Sequence, residues 1–153
     1  MTAGNASKIS DGASALVVMS KEKAEELGCK PMVRVGAQGA SGIEMKYVLV
    51  APILSIPKVL AKDGLKIGDI ELHEINEAFS TSSVAINREL GIDPERVNIH
   101  GGSVAIGHPI GASGARVLTT LIYAMKDKGA KIGEASLCLG GGEAVTLVVY
   151  NEE

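Results

Sequence analysis

Apolar positions along the 153-residue chain come in short blocks broken by glycine, proline and charge. Residues 13–19, ASALVVM, are apolar but for Ser14 and predict a buried strand, since strands covered on both faces lose the alternation of half-exposed ones. Ser20 caps a brief helix over 21–27, which Gly28 ends. Residues 32–39 predict a second strand, and 41–50 a loop with helical turns. A helix follows over 53–62, with Pro57 tolerable only in its first turn because an interior proline removes a donor. Residues 70–75, IELHEI, alternate and predict a strand with His73 at an exposed position. Residues 77–90 read as an amphipathic helix carrying Phe79, Val84, Ile86 and Leu90 on its apolar side, stopped by Gly91. A short strand over 97–99, a helix over 112–129 and strands over 134–139 and 144–150 complete the pattern.

This alternation of strand and helix predicts a layered α/β domain: a mostly parallel sheet with helices on its faces and an antiparallel terminal pair. The first strand is the odd member. It begins almost at once, with no earlier strand beside it, although a buried strand needs neighbours on both sides.

Composition narrows the function. With 46% hydrophobic but only 3% aromatic residues, the core must be built of Val, Ile, Leu, Ala and Met. A net charge of −3 and no run of five Lys or Arg exclude nucleic acid and an anionic membrane surface as partners. Cys29 and Cys138 make no disulfide framework and suit a reducing compartment. The polar opening is no signal peptide, and the longest uncharged early run, 47–57, holds two prolines and is too short to span a bilayer. A soluble cytoplasmic protein is expected.

The chain is organised around residues 101–116, GGSVAIGHPIGASGAR, which hold five of the nineteen glycines. Backbone without side chains can approach a ligand closely, and Pro109 stiffens the turn that presents His108. Gly111 and Ser113 open the following helix, where free N–H groups favour an oxyanion. The stretch is no phosphate-binding loop, for it lacks the required Lys.

Three motifs stand in order: NEAF at 76–79, the stretch just described, and CLGGG at 138–142. Together they resemble the thiolase family, which makes or cleaves 3-ketoacyl-CoA. The opening TAGNASKISDGASAL is similar to the family's loop before its C-terminal part, so the resemblance runs over essentially the whole chain. Each motif follows a predicted strand, and ligand crevices of parallel α/β sheets lie at those strand ends.

The resemblance implies roles residue by residue. Cys138 is the base that takes an α-proton in condensation and the acid in cleavage, a task that requires donors or positive ends to tune its thiol. A small core residue is the other role such a cysteine fills. His108 helps donate to the enolate oxygen and activates the nucleophile, and Asn76 holds a water as the companion donor. Asn76 can cap a helix from Glu77 at the same time. The N–H of Gly140 contributes to a second oxyanion hole over the acyl-enzyme. Ala6 and Ser7 match positions that touch the pantetheine of CoA, with plain turn chemistry as their alternative. No metal and no resident cofactor are implied; CoA thioesters are substrates.

The family's acyl-accepting cysteine belongs to an upstream half with no counterpart here. Cys29, at a helix end, does not match it and reads as structural. The resemblance therefore divides the chain into 1–30, the end of the N-terminal half (CoA loop, strand, helix), and 31–153, the C-terminal domain. It implies an N-terminal half or subunit as partner, acyl-CoA and CoA as ligands, an oligomer, and a chain inactive alone. The missing half also accounts for the orphan first strand. Met1 stands where family chains continue from upstream, so a small subunit of a split thiolase is preferred to a truncated fragment. Val48-Leu49-Val50-Ala51-Pro52 replaces the family's Met-Gly-x-Gly-Pro at the acyl end of the pocket, and His100 and Glu143 stand at positions usually held by other residues. His100 is expected at the surface. The rival reading is a non-catalytic CoA-binding or scaffold protein of thiolase fold; Asn76, His108 and Cys138 together count against it.

Overall fold

The computed structural model describes residues 1–152. One sheet holds β1 (Val33–Gly42), β2 (Leu72–Ile75), β3 (Ile132–Leu139) and β4 (Glu143–Asn151), in the order β1-β4-β3-β2. The helices are α1 (Lys21–Glu26), α2 (Pro52–Leu60), α3 (Ser80–Leu90), α4 (Ser103–Ile106) and α5 (Ser113–Lys128), joined by 3-10 turns such as Met45–Val50. No helix among the described residues is long and apolar enough to cross a membrane.

Two cores lie on opposite faces of the sheet. Ile56, Val59 and Leu60 of α2 pack with Ile75 and Val148, while Val117, Leu121 and Met125 of α5 pack with Leu72, Ala135 and Val149. Val148 and Val149 enter different cores because successive strand side chains point to opposite faces. The layered α/β architecture and the antiparallel β3–β4 pair stand as expected. The sheet itself is mixed rather than mostly parallel. Only β2–β3 is a parallel ladder, extended by a single bridge between His73 and Val97, and β4 runs antiparallel to both β1 and β3.

Residues 13–19 are the largest departure. They form no strand, and Val17 and Val18 are 87% and 76% exposed. An apolar run requires cover, but its composition does not say which surface provides it. The helix expected from Glu77 starts at Ser80, so Asn76 is not its cap; Phe79 holds that place. Backbone pairing with the N-terminal loop instead engages Ala78, Phe79 and Ser80, just where the helix begins. Helix α2 begins at Pro52, which puts Pro57 inside it instead of in the first turn. Burial of Ile56, Val59 and Leu60 holds that helix despite the missing donor.

His73 is buried, not exposed, at 2%. Alternation marks one wet face only when one face is wet, and here α2 and α5 cover both. Its Nδ1 lies 3.0 Å from Glu134 Oε1, and Ser136 donates to Glu134 Oε2 at 2.6 Å. Hydroxyl contacts of 2.7 Å continue from Ser136 to Thr146 and on to Ser55, so each side chain of this buried chain has a partner. His100 is at the surface, 3.3 Å from Asp127.

The expected strand over 97–99 shrinks to the Val97 bridge, and Asn98 does the rest by side chain. With φ at 49°, its Oδ1 accepts the Ile75 N–H and its Nδ2 donates to the Ile75 carbonyl, both at 2.9 Å. One carboxamide thus takes the place of a neighbouring strand immediately before Asn76. Asn98→Ala leaves both buried Ile75 groups unpaired and is expected to cost about 2–4 kcal/mol, read from urea unfolding. An unchanged unfolding midpoint would contradict this role.

Candidate active site

The ends of β2 and β3 set the site. Asn76 follows β2 directly, and its N–H donates to the Ser136 carbonyl at 2.9 Å, two residues before Cys138. The loop 76–79 receives the N-terminal loop: Ser7 N–H donates to Ala78 O at 3.1 Å, Ser80 N–H to Asn5 O at 2.9 Å, and Ala6 bridges Phe79. His108 N–H then donates to Lys8 O at 3.1 Å. Ala6, Ser7, Asn76 and His108 therefore share one loop cluster.

Small residues make this approach feasible. Gly107 has φ +99°, and a Cβ there would lie 2.5 Å from Ser10 Oγ. A Cβ on Gly12 would lie 2.8 Å from Pro109 Cγ. Any side chain at either position pushes the N-terminal loop away from the histidine turn.

Within the cluster, Asn76 Nδ2 is 3.5 Å from His108 Nε2. Asn76 Oδ1 accepts from Ser103 Oγ at 2.7 Å and from Arg116 Nη2 at 3.2 Å. Guanidinium only donates, so the carboxamide oxygen faces Arg116 and the NH2 faces the imidazole. On the other side of the ring, His108 Nδ1 is 2.6 Å from Ser113 Oγ, whose hydroxyl donates to Pro109 O at 3.0 Å. Ser113 has one proton and has committed it, so Nδ1 carries the ring hydrogen and Nε2 presents a lone pair. Burial, and then the Arg116 charge, hold the His108 pKa below its ordinary value. The imidazole is neutral at neutral pH, with its accepting nitrogen toward Asn76.

Cys138, next to last in β3, stands opposite Ala144, partly buried, with no direct hydrogen bond to Asn76 or His108 among the described residues. Burial pushes its thiol up, opposed by its own backbone N–H. Gly140 is exposed in the hairpin that follows. The hairpin is pinned by Ile43 N–H donating to Gly142 O at 2.7 Å, and a Cβ on Gly142, φ +91°, would strike the Ile43 carbonyl. Cys29 lies exposed beyond α1.

Sequence reasoning missed Glu74, Ser103 and Arg116. Glu74 lay within the expected strand over 70–75 with no role assigned, yet it is buried, with Oε2 at 3.7 Å from Arg116 Nη1. Burial raises its pKa to about 8; Arg116 works against this, and Glu77 and Glu134 reinforce it. The available signal was an acid in a strand that both helix faces cover, together with an arginine closing the glycine-rich stretch.

A mixed sheet with helices on both faces and polar loops gathered at the ends of β2 and β3 defines the class of domain. Residues 29–151 match the family model described as thiolase, C-terminal domain. The chain is 52% identical to an acetyl-CoA acetyltransferase of Syntrophomonas wolfei over 97% of its own length and 38% of that protein's. It is 48% identical to the acetyl-CoA acetyltransferase of Schizosaccharomyces pombe, with the same coverage. Among solved structures, the Bacillus anthracis acetyl-CoA acetyltransferase matches with a TM-score of 0.96 and 43% identity, covering 98% of this chain and 38% of that one. Human mitochondrial 3-ketoacyl-CoA thiolase in complex with CoA matches at 0.90 and 29% identity, covering 99% of this chain and 39% of that one. The chain belongs to the thiolase family, as its C-terminal domain, and spans little more than a third of the curated relatives it matches.

Two outcomes follow from the shifted groups. Folded Glu74 keeps its proton to about pH 8 and the unfolded residue only to the usual 4.5, so its contribution to stability is full below 4.5 and lost as pH rises through 8. Glu74→Gln should therefore lose less stability than the wild type across that window in urea unfolding; parallel curves would show that the carboxyl is not protonated. For the cysteines, mass spectrometry after iodoacetamide should find Cys29 alkylated before Cys138 at neutral pH, with Cys138 labelling still rising in alkaline buffer. Matching pH profiles would count against the raised thiol.

Proposed function

We propose that this chain is the C-terminal part of a thiolase and carries acyl groups between CoA thioesters together with an N-terminal half that supplies the nucleophilic cysteine. The observation that carries the reading is the Asn76–His108 contact, in which a neutral imidazole turns a lone pair toward a carboxamide NH2 at 3.5 Å. A nucleophilic thiol can give its proton to His108 Nε2 while its sulfur attacks the acyl-CoA carbonyl. The bond from that carbon to the CoA sulfur breaks, and CoA leaves as the thiol with a proton from Cys138, so the first proton stays on His108 Nε2. In condensation, Cys138 as thiolate takes an α-proton from acetyl-CoA, and the enolate carbon bonds to the acyl carbon. The acyl–enzyme C–S bond breaks, and the freed cysteine sulfur recovers its proton from His108 Nε2.

Charge develops on the thioester oxygen at the deprotonation step. The protonated Nε2 of His108 and a water held by Asn76 are its donors, and the Gly140 N–H serves the acyl-enzyme carbonyl; each such donor contributes about 10²–10³ in rate. A thiol kept protonated by burial suits Cys138 to the acid role of the cleavage direction. Ala6 and Ser7, seated on the 76–79 loop, would guide pantetheine, with CoA thioesters as substrates and no resident cofactor. Residues 1–30 then act as the end of the N-terminal half and 31–153 as the C-terminal domain. The exposed Ile9, Val17, Val18, Ile106 and Ile110 give the partner half an apolar surface. An oligomer in the cytoplasm completes the reading.

Co-expression with the N-terminal portion of the Syntrophomonas wolfei relative tests it. The chain alone should show no thiolysis of acetoacetyl-CoA or longer 3-ketoacyl-CoA, and the complex should restore turnover. His108→Ala and Cys138→Ser should abolish that turnover. Wild-type rates in either variant would overturn the assignments, and CoA binding without turnover would favour a scaffold.

A further inference from the structure

We propose that Arg116 is a positioning residue of this site: with Ser103 it clamps the carboxamide oxygen of Asn76, so that the Asn76 NH2 group is the face held toward His108. Its catalytic consequence rests on the acyl-transfer reading above; the clamp itself rests on geometry. Arg116 lies in the first turn of α5, and its side chain is only 15% exposed. Its Nη2 donates both to Asn76 Oδ1 at 3.2 Å and to Ser103 Oγ at 2.9 Å. Ser103 is fully buried and passes its own proton to Asn76 Oδ1 at 2.7 Å.

Hydrogen-bond direction around this triangle is fixed. A guanidinium has no acceptor, so Ser103 Oγ accepts from Arg116 and donates onward to Asn76. Turning the carboxamide over would set its NH2 against two donors and lose both bonds. The buried Asn76 side chain is thus held in one of its two orientations by a partner on another element. A planar fork suits this task better than an ammonium, whose compact charge cannot hold two acceptors from one nitrogen in a fixed plane. Glu74 and Glu77 are the acids facing the guanidinium: Glu74 Oε2 lies 3.7 Å from Nη1, and Glu77 accepts from the Val104 N–H at 3.3 Å.

A residue that merely ties α5 to the sheet would leave the Asn76 amide undisturbed, which separates the two roles. In the isolated 15N-labelled chain, Arg116→Met and Ser103→Ala should shift or broaden the Asn76 side-chain amide pair. In Arg116→Met the His108 titration midpoint should rise, since a cation that opposes imidazole protonation is gone. Arg116→Lys keeps the charge, so the His108 midpoint should stay near wild type while the Asn76 amide still moves. In the assembled enzyme, Arg116→Met should lower kcat on the order of 10²-fold with KM little changed, as a misplaced donor does, and Ser103→Ala should fall in the same direction. An Asn76 amide pair unmoved in both Arg116→Met and Ser103→Ala overturns the clamp, as does a loss confined to KM. The amide readout needs no turnover, so the clamp is judged on the chain itself even where the acyl-transfer reading fails.

Discussion

The carboxamide of Asn76 is where the constraints of this domain meet. Its backbone N–H is tied to β3 through Ser136, its oxygen to α4 and α5 through Ser103 and Arg116, and its nitrogen faces the His108 ring. Strand, helix and glycine-rich loop therefore share one side chain. The polarity of the site follows: donors stand on the Asn76 side, and a lone pair stands on His108, whose other nitrogen is occupied by Ser113. Electrostatic work of this kind depends on donors fixed before charge appears, because a dipole that must turn during the reaction loses much of its effect.

The surrounding structure serves that arrangement. Asn98 replaces a strand beside Ile75, so β2 ends in a fixed place one residue before Asn76. Gly107 and Gly12 remove the side chains that would separate the N-terminal loop from the histidine turn. Arg116 brings a charge beneath the site that helps keep His108 neutral, and the Glu74 carboxyl beside it is kept protonated up to about pH 8 by burial. Each is a local departure from ordinary strand, loop or core chemistry, and all of them converge on the loop cluster at the end of β2.

Much of this was legible in the sequence, for reasons that differ by residue. Motifs carry chemistry in fixed residue types, so NEAF and GHPIGASGAR led directly to Asn76 and His108, which the structure brings into contact. Helix α5 and strand β4 were legible because their periods are long and their ends marked by glycine. Pattern failed where cover comes from elsewhere. His73 alternates with apolar neighbours and Glu74 breaks that alternation, yet helices lie on both faces and each found an ionisable partner inside. Residues 13–19 have the composition of a core strand and no neighbour in this sheet. Strand direction was missed because hydropathy records burial, whereas β1 joins the far side of β4 through a register that only tertiary pairing sets.

Hydrogen bonds from both sides fix the resting His108 in one protonation form, with hydrogen on Nδ1 and Nε2 bare. Imidazole 15N shifts report this directly in labelled chain at mildly alkaline pH. A protonated Nδ1 and an unprotonated Nε2 at His108 is the predicted result. A protonated Nε2 in the neutral ring, or a rapid average of the two tautomers, would contradict the account.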